Sequence, residues 1–379
     1  MNSAHNSKGS LTLLSRLLFE SNKNQNLNFT DQERTPFDSA QQDCSAELAE
    51  AIASYQPQDF GELWGLAGSH HVIMRALPRL HSVLVALGSD RADWVEHALQ
   101  KEQARIDHAL SFLEPICCAL EQVGQVVVMK SLDHWPDLGS DLDLYSNAKS
   151  SDIVAVMQSQ FNARTDERSW GDRLANKWNF VVPGLPELVE VHAGRLGQTG
   201  EQVTITNSVV SRSRVEQFGS HQLRVPAPED RMVISTLQRM YRHFYLRLCD
   251  IADNARLIDF GEVDYEYLKS LANSAGLWDG LATYLQIVSD YVKSFRGTRL
   301  PLPSLVTEAA RFGNERVSFR RRFLRIPIFP QAAKLYISEW QRLLRNGEVQ
   351  NAFRLSLLPG LATAAALEFK LTGSDKGIW

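Results

Sequence analysis

The sequence predicts an α+β protein in which a β-rich unit sits between two helical regions. Three observations support this. Apolar residues recur at helical spacing from Ala46 to about Val123. The period then becomes that of strands, in Val126-Val127-Val128-Met129 and in Asp141-Leu-Asp-Leu-Tyr145. Beyond Pro226 and Pro228 the helical spacing returns. At 379 residues there is room for two or three domains. The divisions expected are a poorly ordered N-terminal arm (1–42), an N-terminal helical region (43–120), a β-rich core (121–225) and a C-terminal helical domain (226–379).

The arm is rich in Asn, Ser, Gln and Asp, and only Leu11–Phe19 could dock a short helix. In the first helical region, Val72, Leu77, Leu80 and Leu84, then Ile106, Leu110, Leu113 and Leu120, mark apolar stripes. Val126–Met129 reads as a short buried strand and Asp141–Tyr145 as a second. Ser151–Phe161 reads as a helix, followed by strands at Trp178–Val182 and Leu188–His192. The Pro-Gly-Leu-Pro between these two strands marks a tight connection. From Pro228 one long helix is expected to about Ile258, with Glu229 and Asp230 at its positive end. Further helices are interrupted at Gly261, Gly276, Pro301–Pro303 and Pro327–Pro330.

Composition narrows the function classes. Apolar residues make up 44% and charged residues 22%, values ordinary for a globular protein. A formal net charge of −4 gives no global reason for nucleic-acid or membrane binding. The four cysteines, Cys44, Cys117, Cys118 and Cys249, have the spacing of neither a zinc site nor a disulfide framework. No stretch approaches the roughly 20 apolar residues that span a bilayer. The N-terminal apolar run is too short and interrupted for a signal peptide. A cytoplasmic protein with no membrane partner is expected.

Residues 139–145, Gly-Ser-Asp-Leu-Asp-Leu-Tyr, carry the most chemistry. Alternation on a strand sends Leu142 and Leu144 to a core, and projects Asp141 and Asp143 together from the other face. Two such carboxylates repel unless a cation lies between them, and hard oxygen donors suit Mg²⁺ or Mn²⁺. The strand before them ends at Lys130-Ser131, where backbone N–H groups, a hydroxyl and an ammonium could hold a phosphate. A later strand, Leu188-Val-Glu-Val-His192, alternates again and puts Glu190 and His192 on one face. Three carboxylates beside a phosphate-binding turn form a two-metal phosphoryl-transfer site.

Lys130-Ser131, Asp141-x-Asp143 about ten residues later, and Val-Glu190-Val-His192 resemble the polymerase-beta-like nucleotidyltransferase superfamily. Within it the chain is most similar to a family of uncharacterised bacterial nucleotidyltransferases. There the corresponding strands end in Leu-Lys-Gly and in an acidic residue followed by His. The flanks also resemble that family, through His70-His71-Val72, Leu110–Leu120, Pro228-Glu-Asp-Arg and Tyr245-Leu-Arg247-Leu-Cys-Asp250-Ile, so the likeness extends over roughly 45–300. Ser131 replaces the family's glycine, and Glu190 stands where many relatives have Asp.

The resemblance implies a polymerase-beta-like core with a small mixed sheet, and an enzyme moving a nucleoside monophosphate from an NTP to an acceptor hydroxyl with release of pyrophosphate. Asp141, Asp143 and Glu190 would be catalytic and hold Mg²⁺ or Mn²⁺, with Glu190 as metal ligand or base. Lys130, Ser131, Gly139 and Ser140 would contact the nucleotide. Lys177 is a further nucleotide-binding candidate, and His192 is either part of the site or a strand-end His bonded to backbone. Arg239, His243 and Arg247, with Asp250 one turn on, would form one polar stripe on the long helix. That stripe either closes the nucleotide cleft or is a solvated face with an internal Arg247–Asp250 pair.

Arg316, Arg320, Arg321, Arg322 and Arg325 would wrap around a helix, as a solvated face or as a landing surface for an anionic acceptor such as RNA. Trp135 is read as a Trp-Pro turn packed on the core, or as a base-stacking residue. Two alternatives stand: a catalytically silent nucleotidyltransferase-like binding or regulatory protein, and a metal-dependent glycosyltransferase. Phosphate-loop, dinucleotide and zinc-protease motifs are absent. The acceptor (small molecule, peptide, protein or RNA), the NTP and the oligomeric state are not specified by these residues.

Overall fold

A computed structural model describes residues 2–20 and 46–372. The fold is α+β, as expected. An N-terminal helical layer comprises α1 (Asn2–Phe19), α2 (Ala46–Ala53), α3 (Pro57–Ser69), α4 (Ile73–Ala86) and the long α5 (Arg91–Leu120). The middle of the chain contains β1 (Val126–Val128), β2 (Asp141–Ser146), α6 (Ser150–Phe161), β3 (Arg164–Thr165), α7 (Trp170–Ala175), β4 (Lys177–Val181) and β5 (Leu188–Ala193). It closes with α8 (Thr204–Ser211) and the hairpin β6 (Arg214–Phe218) and β7 (His221–Val225).

The five strands form one mixed sheet in the order β1-β2-β5-β4-β3. Only β2 and β5 run parallel, and the chain between them crosses over through α6, β3, α7 and β4. Leu142 and Leu144 on β2, and Val189 and Val191 on β5, are completely buried. Each contributes about 1.5–3 kcal/mol of burial. This alternation forces the intervening Asp141, Asp143 and Glu190 to the opposite face. Arg105 on α5 aligns the starts of the two strands. Its guanidinium donates to the carbonyls of Leu138 (3.1 Å) and Gly139 (3.4 Å) just before β2, and to Glu187 (2.7 Å) just before β5.

The segment expected to be one helix from Pro228 to Ile258 is not continuous. Helix α9 (Pro228–Thr236) passes into a wide π-turn over Leu237–His243, and Phe244 then adopts a left-handed backbone, φ +55°. A two-residue strand, β8 (Tyr245–Leu246), follows before α10 (Leu248–Asp259). Tertiary pairing breaks the helix: β8 joins the hairpin β9 (Ser318–Arg320) and β10 (Phe323–Arg325). The π-turn is anchored where Tyr241 lies against Gly280, whose Cβ, if present, would meet the phenol oxygen at 2.4 Å.

That hairpin also corrects the expectation for the arginine cluster. Arg320, Arg321, Arg322 and Arg325 belong to a strand–turn–strand, with Arg321 and Arg322 at positive φ, and share no helical face. Arg325 stacks on Tyr245 at 5.0 Å, and the carbonyl of Arg322 bonds His70 Nε2 at 2.7 Å.

The C-terminal helices are α11 (Tyr265–Ser274), α12 (Trp278–Arg296), α13 (Ser304–Thr307), α14 (Ala333–Arg345), α15 (Val349–Ser356) and α16 (Leu358–Thr372). The apolar patch Leu11–Phe19 lies in α1, where Leu11, Leu13, Leu14 and Leu17 enter the core and Ser15 Oγ meets Tyr291 of α12 at 2.7 Å. The short helix that this patch could dock therefore forms, as part of α1. The remainder of the expected arm, 21–42, lies outside the described residues. Trp135 packs edge-on to Phe218 at 5.6 Å, against the core. No helix among the described residues is long and apolar enough to cross a membrane.

Asp230, buried in α9, carries a measurable consequence. Burial pushes its carboxyl up to about 6, against the pull of Ser208 and Arg212. A carboxyl raised in the folded state holds an extra proton there, so it favours folding at low pH and withdraws that support as pH rises from about 4 to 6. Asp230→Asn should therefore gain on wild type as pH rises from 4 to 7, by on the order of 2–3 kcal/mol. Urea unfolding at the two pH values measures it.

Candidate active site

Strands β2 and β5 pair in register Asp143↔Glu190 and Tyr145↔His192. The pairing sets two carboxylates side by side with an imidazole one pleat away. Donor atoms of Asp143, Glu190 and His192 all lie within 4.8 Å of one another. Asp141 lies one pleat back on the same face of β2, and its Oδ2 accepts from Ser140 Oγ at 3.2 Å. His192 thus joins the cluster, with Nε2 3.5 Å from Asp143 Oδ1.

Two lysines offset part of the charge on this acidic face. Lys130 is in a left-handed backbone conformation, φ +56°, directly after β1, and its ammonium bonds Asp143 Oδ1. Lys177, the first residue of β4, places Nζ 3.0 and 3.1 Å from the two oxygens of Glu190 and 3.0 Å from Asp172. Asp172 was not anticipated from the sequence. Its signal was there in Ser169-x-x-Asp172, a capping box at the start of α7 in which each side chain bonds the other's backbone N–H.

The electrostatics of the carboxylates diverge. Burial alone would raise Asp143, but Lys130 and His192 outweigh it and hold its carboxyl well below the usual carboxylate range. Glu190 is pushed up by burial and then by Asp143, with Lys177 and Lys130 opposing. Asp141 is raised for the same first two reasons. Burial lowers His192 to about 4, so its ring is neutral near pH 7. One carboxylate is therefore locked ionised while its neighbour has more affinity for a proton, a division that suits acid–base work.

Ser131 does not leave its hydroxyl free. It donates to the carbonyl of Asp141 at 2.9 Å and accepts from the N–H of Asp143 at 2.8 Å, latching the turn to β2. Gly139 and Ser140 line a separate recess with Glu102, Arg105, Asp137 and Glu187. Lys130 and His192 instead line a cleft roofed by the π-turn residues Gln238, Tyr241 and Arg242, and by Leu355 and Leu358 of the C-terminal helices.

The break in the long helix redistributes the expected polar stripe. Arg239 is fully buried and pairs through Nε with Asp250 Oδ2 at 2.8 Å. The internal pair is therefore Arg239–Asp250, and the same Asp250 oxygen accepts from the Arg247 N–H at 2.7 Å to cap α10. Arg247 turns to His71 Nε2 at 2.5 Å. His71 is held neutral, first by burial and then by the arginine. His243 stacks against Tyr245 at 5.5 Å and is driven far below its ordinary pKa by burial and the surrounding arginines. The π-turn brings Arg242 into the cleft, a residue outside the four-residue spacing from which the stripe was read.

Comparison with models of known families, with curated proteins and with solved structures finds no match.

Two substitutions test this wiring. Lys177→Met strips the cation from Asp172 and Glu190, and should lower unfolding stability by about 3 kcal/mol, as removal of one partner from a buried pair does. Lys177→Arg should recover part of that in the same denaturant titration. Arg239→Met leaves Asp250 unpaired and should cost about 3–5 kcal/mol. A nucleotide-contact role for Arg239 would instead leave stability near wild type.

Proposed function

We propose that this protein is a divalent-metal-dependent nucleotidyltransferase with a polymerase-beta-like core, moving a nucleoside monophosphate from an NTP to an acceptor hydroxyl and releasing pyrophosphate. The observation that supports this best is the Asp143–Glu190 pairing on parallel strands, with Asp141 on the same face and Lys130 at the preceding turn. The donor set fits a hard cation. Among the described residues, Lys130 and Lys177 are the lysines paired with Asp143, Glu190 and Asp172; with Asp141 counted, two negative charges remain, which one Mg²⁺ or Mn²⁺ would offset. Asp141 and Asp143 would hold it, with neutral His192 alongside and Glu190 left free to act as base. When bound, such an ion neutralises charge on the triphosphate and aligns it with the attacking oxygen.

The chain's own groups account for the remaining tasks. Lys130 would turn from Asp143 to the phosphates with a cation held there, and Arg242 lines the same cleft. Glu190, with its raised affinity for a proton, takes the acceptor's hydroxyl proton as the oxygen attacks the α-phosphorus and the bond to the β-phosphate oxygen breaks. Lys177 holds Glu190 in position. The acceptor is any molecule with a hydroxyl that reaches Glu190.

Thermal unfolding with Mg²⁺ and each NTP in turn tests this reading. At a concentration about 100-fold above Kd, one NTP should stabilise the wild type by about 2.7 kcal/mol. The gain should disappear without Mg²⁺ and in Asp141→Asn/Asp143→Asn. No Mg²⁺-dependent response to any NTP, or an identical response in the double variant, would rule the activity out.

A further inference from the structure

Behind the Lys130 turn lies a second group of metal-ligand side chains, drawn together from distant parts of the sequence. Donor atoms of His134, Cys249 and Asp253 lie within 4.8 Å of one another. Cys249 is fully buried and His134 nearly so. His134 Nε2 faces Cys249 Sγ at 3.7 Å, and its Nδ1 lies 2.5 Å from Asp253 Oδ2. Two donors around one tetrahedral zinc, with bonds of about 2.0–2.3 Å, stand about 3.3–3.8 Å apart, which matches the nitrogen–sulfur separation here. A carboxylate on the far ring nitrogen is the usual outer partner of a zinc-bound histidine, fixing its tautomer and orientation. Asp253 is itself fixed, with Oδ1 held by Arg75 at 2.5 Å, and Arg75 also grips Asp137 at 2.8 Å. Asp250 Oδ1, 3.9 Å from Sγ, is the next carboxylate in line.

The same three residues have the order of a thiol–imidazole–carboxylate triad, but that chemistry needs the sulfur to meet a substrate. Cys249 has no exposed surface, whereas an ion needs far less room than an organic substrate. A cavity lined by Lys130, His134, Asp250, Asp253 and Arg256 leads to the cluster. Cysteine spacing gave no hint of this, because one cysteine, one histidine from a loop and two carboxylates from α10 meet only in the folded chain.

We propose that His134 and Cys249 bind a soft divalent cation of the zinc type, with Asp253 as the outer carboxylate and Asp250 placed to complete the ligand set. The ion would displace to solvent the thiol proton and any proton on His134 Nε2, leaving Nδ1–H donated to Asp253, and would tie the loop that carries Lys130 to α10. The site is independent of the nucleotidyltransfer reading, since it shares no ligand with Asp141, Asp143 or Glu190.

Co²⁺ titration of the reduced, chelator-stripped full-length protein provides the test. The expected result is saturable binding with a thiolate-to-cobalt charge-transfer band in the near ultraviolet, displaced by Zn²⁺. The band should be lost in Cys249→Ser and in Cys249→Ala, so that either folded variant suffices. Affinity should fall about 10–100-fold in Asp253→Asn. In Asp141→Asn/Asp143→Asn the band should persist, which separates this site from the acidic face of β2 and β5. A wild-type protein without the band, or a band that survives loss of Cys249, would overturn the proposal.

Discussion

The parallel pairing of β2 with β5 is the constraint on which the rest of the molecule depends. It places Asp143 directly against Glu190, an arrangement that ionised carboxylates resist. The sheet tolerates it because Lys130 enters from the turn after β1 and Lys177 from β4, on opposite sides of the acidic pair. The neighbouring strands thus serve as counter-charges as well as hydrogen-bonding partners. Arg105 acts at the other end, tying the residues before both strands so that the two acids stay level.

A second layer of buried polar pairing fastens the helical regions to this sheet. Arg75 on α4 joins Asp137 in the β1–β2 loop to Asp253 on α10, and His70 accepts from the Leu248 N–H at 2.9 Å. Arg239 and Asp250 close the same region from the π-turn. Such pairs add less to net stability than their Coulomb attraction suggests, because desolvation offsets much of it. Their geometric demands are strict, however, so they fix how the N-terminal helices, the β1–β2 loop and α10 meet.

Local periodicity carried much of this into the sequence, and tertiary pairing hid the rest. Leu142/Leu144 against Asp141/Asp143, and Val189/Val191 against Glu190/His192, alternate so regularly that strand, core face and acidic face could all be read directly. The helix expected at Ser151–Phe161 was also a local signal, and it forms as Ser150–Phe161. The continuous helix from Pro228 failed for a nonlocal reason: Val233, Leu237, Met240, Phe244 and Leu248 keep helical spacing, yet Phe244 turns left-handed so that Tyr245 and Leu246 can pair with a hairpin some eighty residues later. That one break buried Arg239, redirected Arg247 to His71 and brought Arg242 into the cleft. The arginine run misled for a similar reason, since its two central residues form a turn.

The lysine-paired acids have a consequence for how the protein would live with its ion. A site whose anions are partly balanced by tethered ammoniums can fold without waiting for metal, and at Asp143 metal entry would be an exchange rather than a filling. The free energy gained by the incoming ion is reduced by that of the Lys130–Asp143 contact it replaces. A polyphosphate arriving with the ion changes that balance, because it offers the displaced ammonium a new anion. Under the nucleotidyltransfer reading, occupancy then follows the supply of metal–nucleotide complex rather than of free metal.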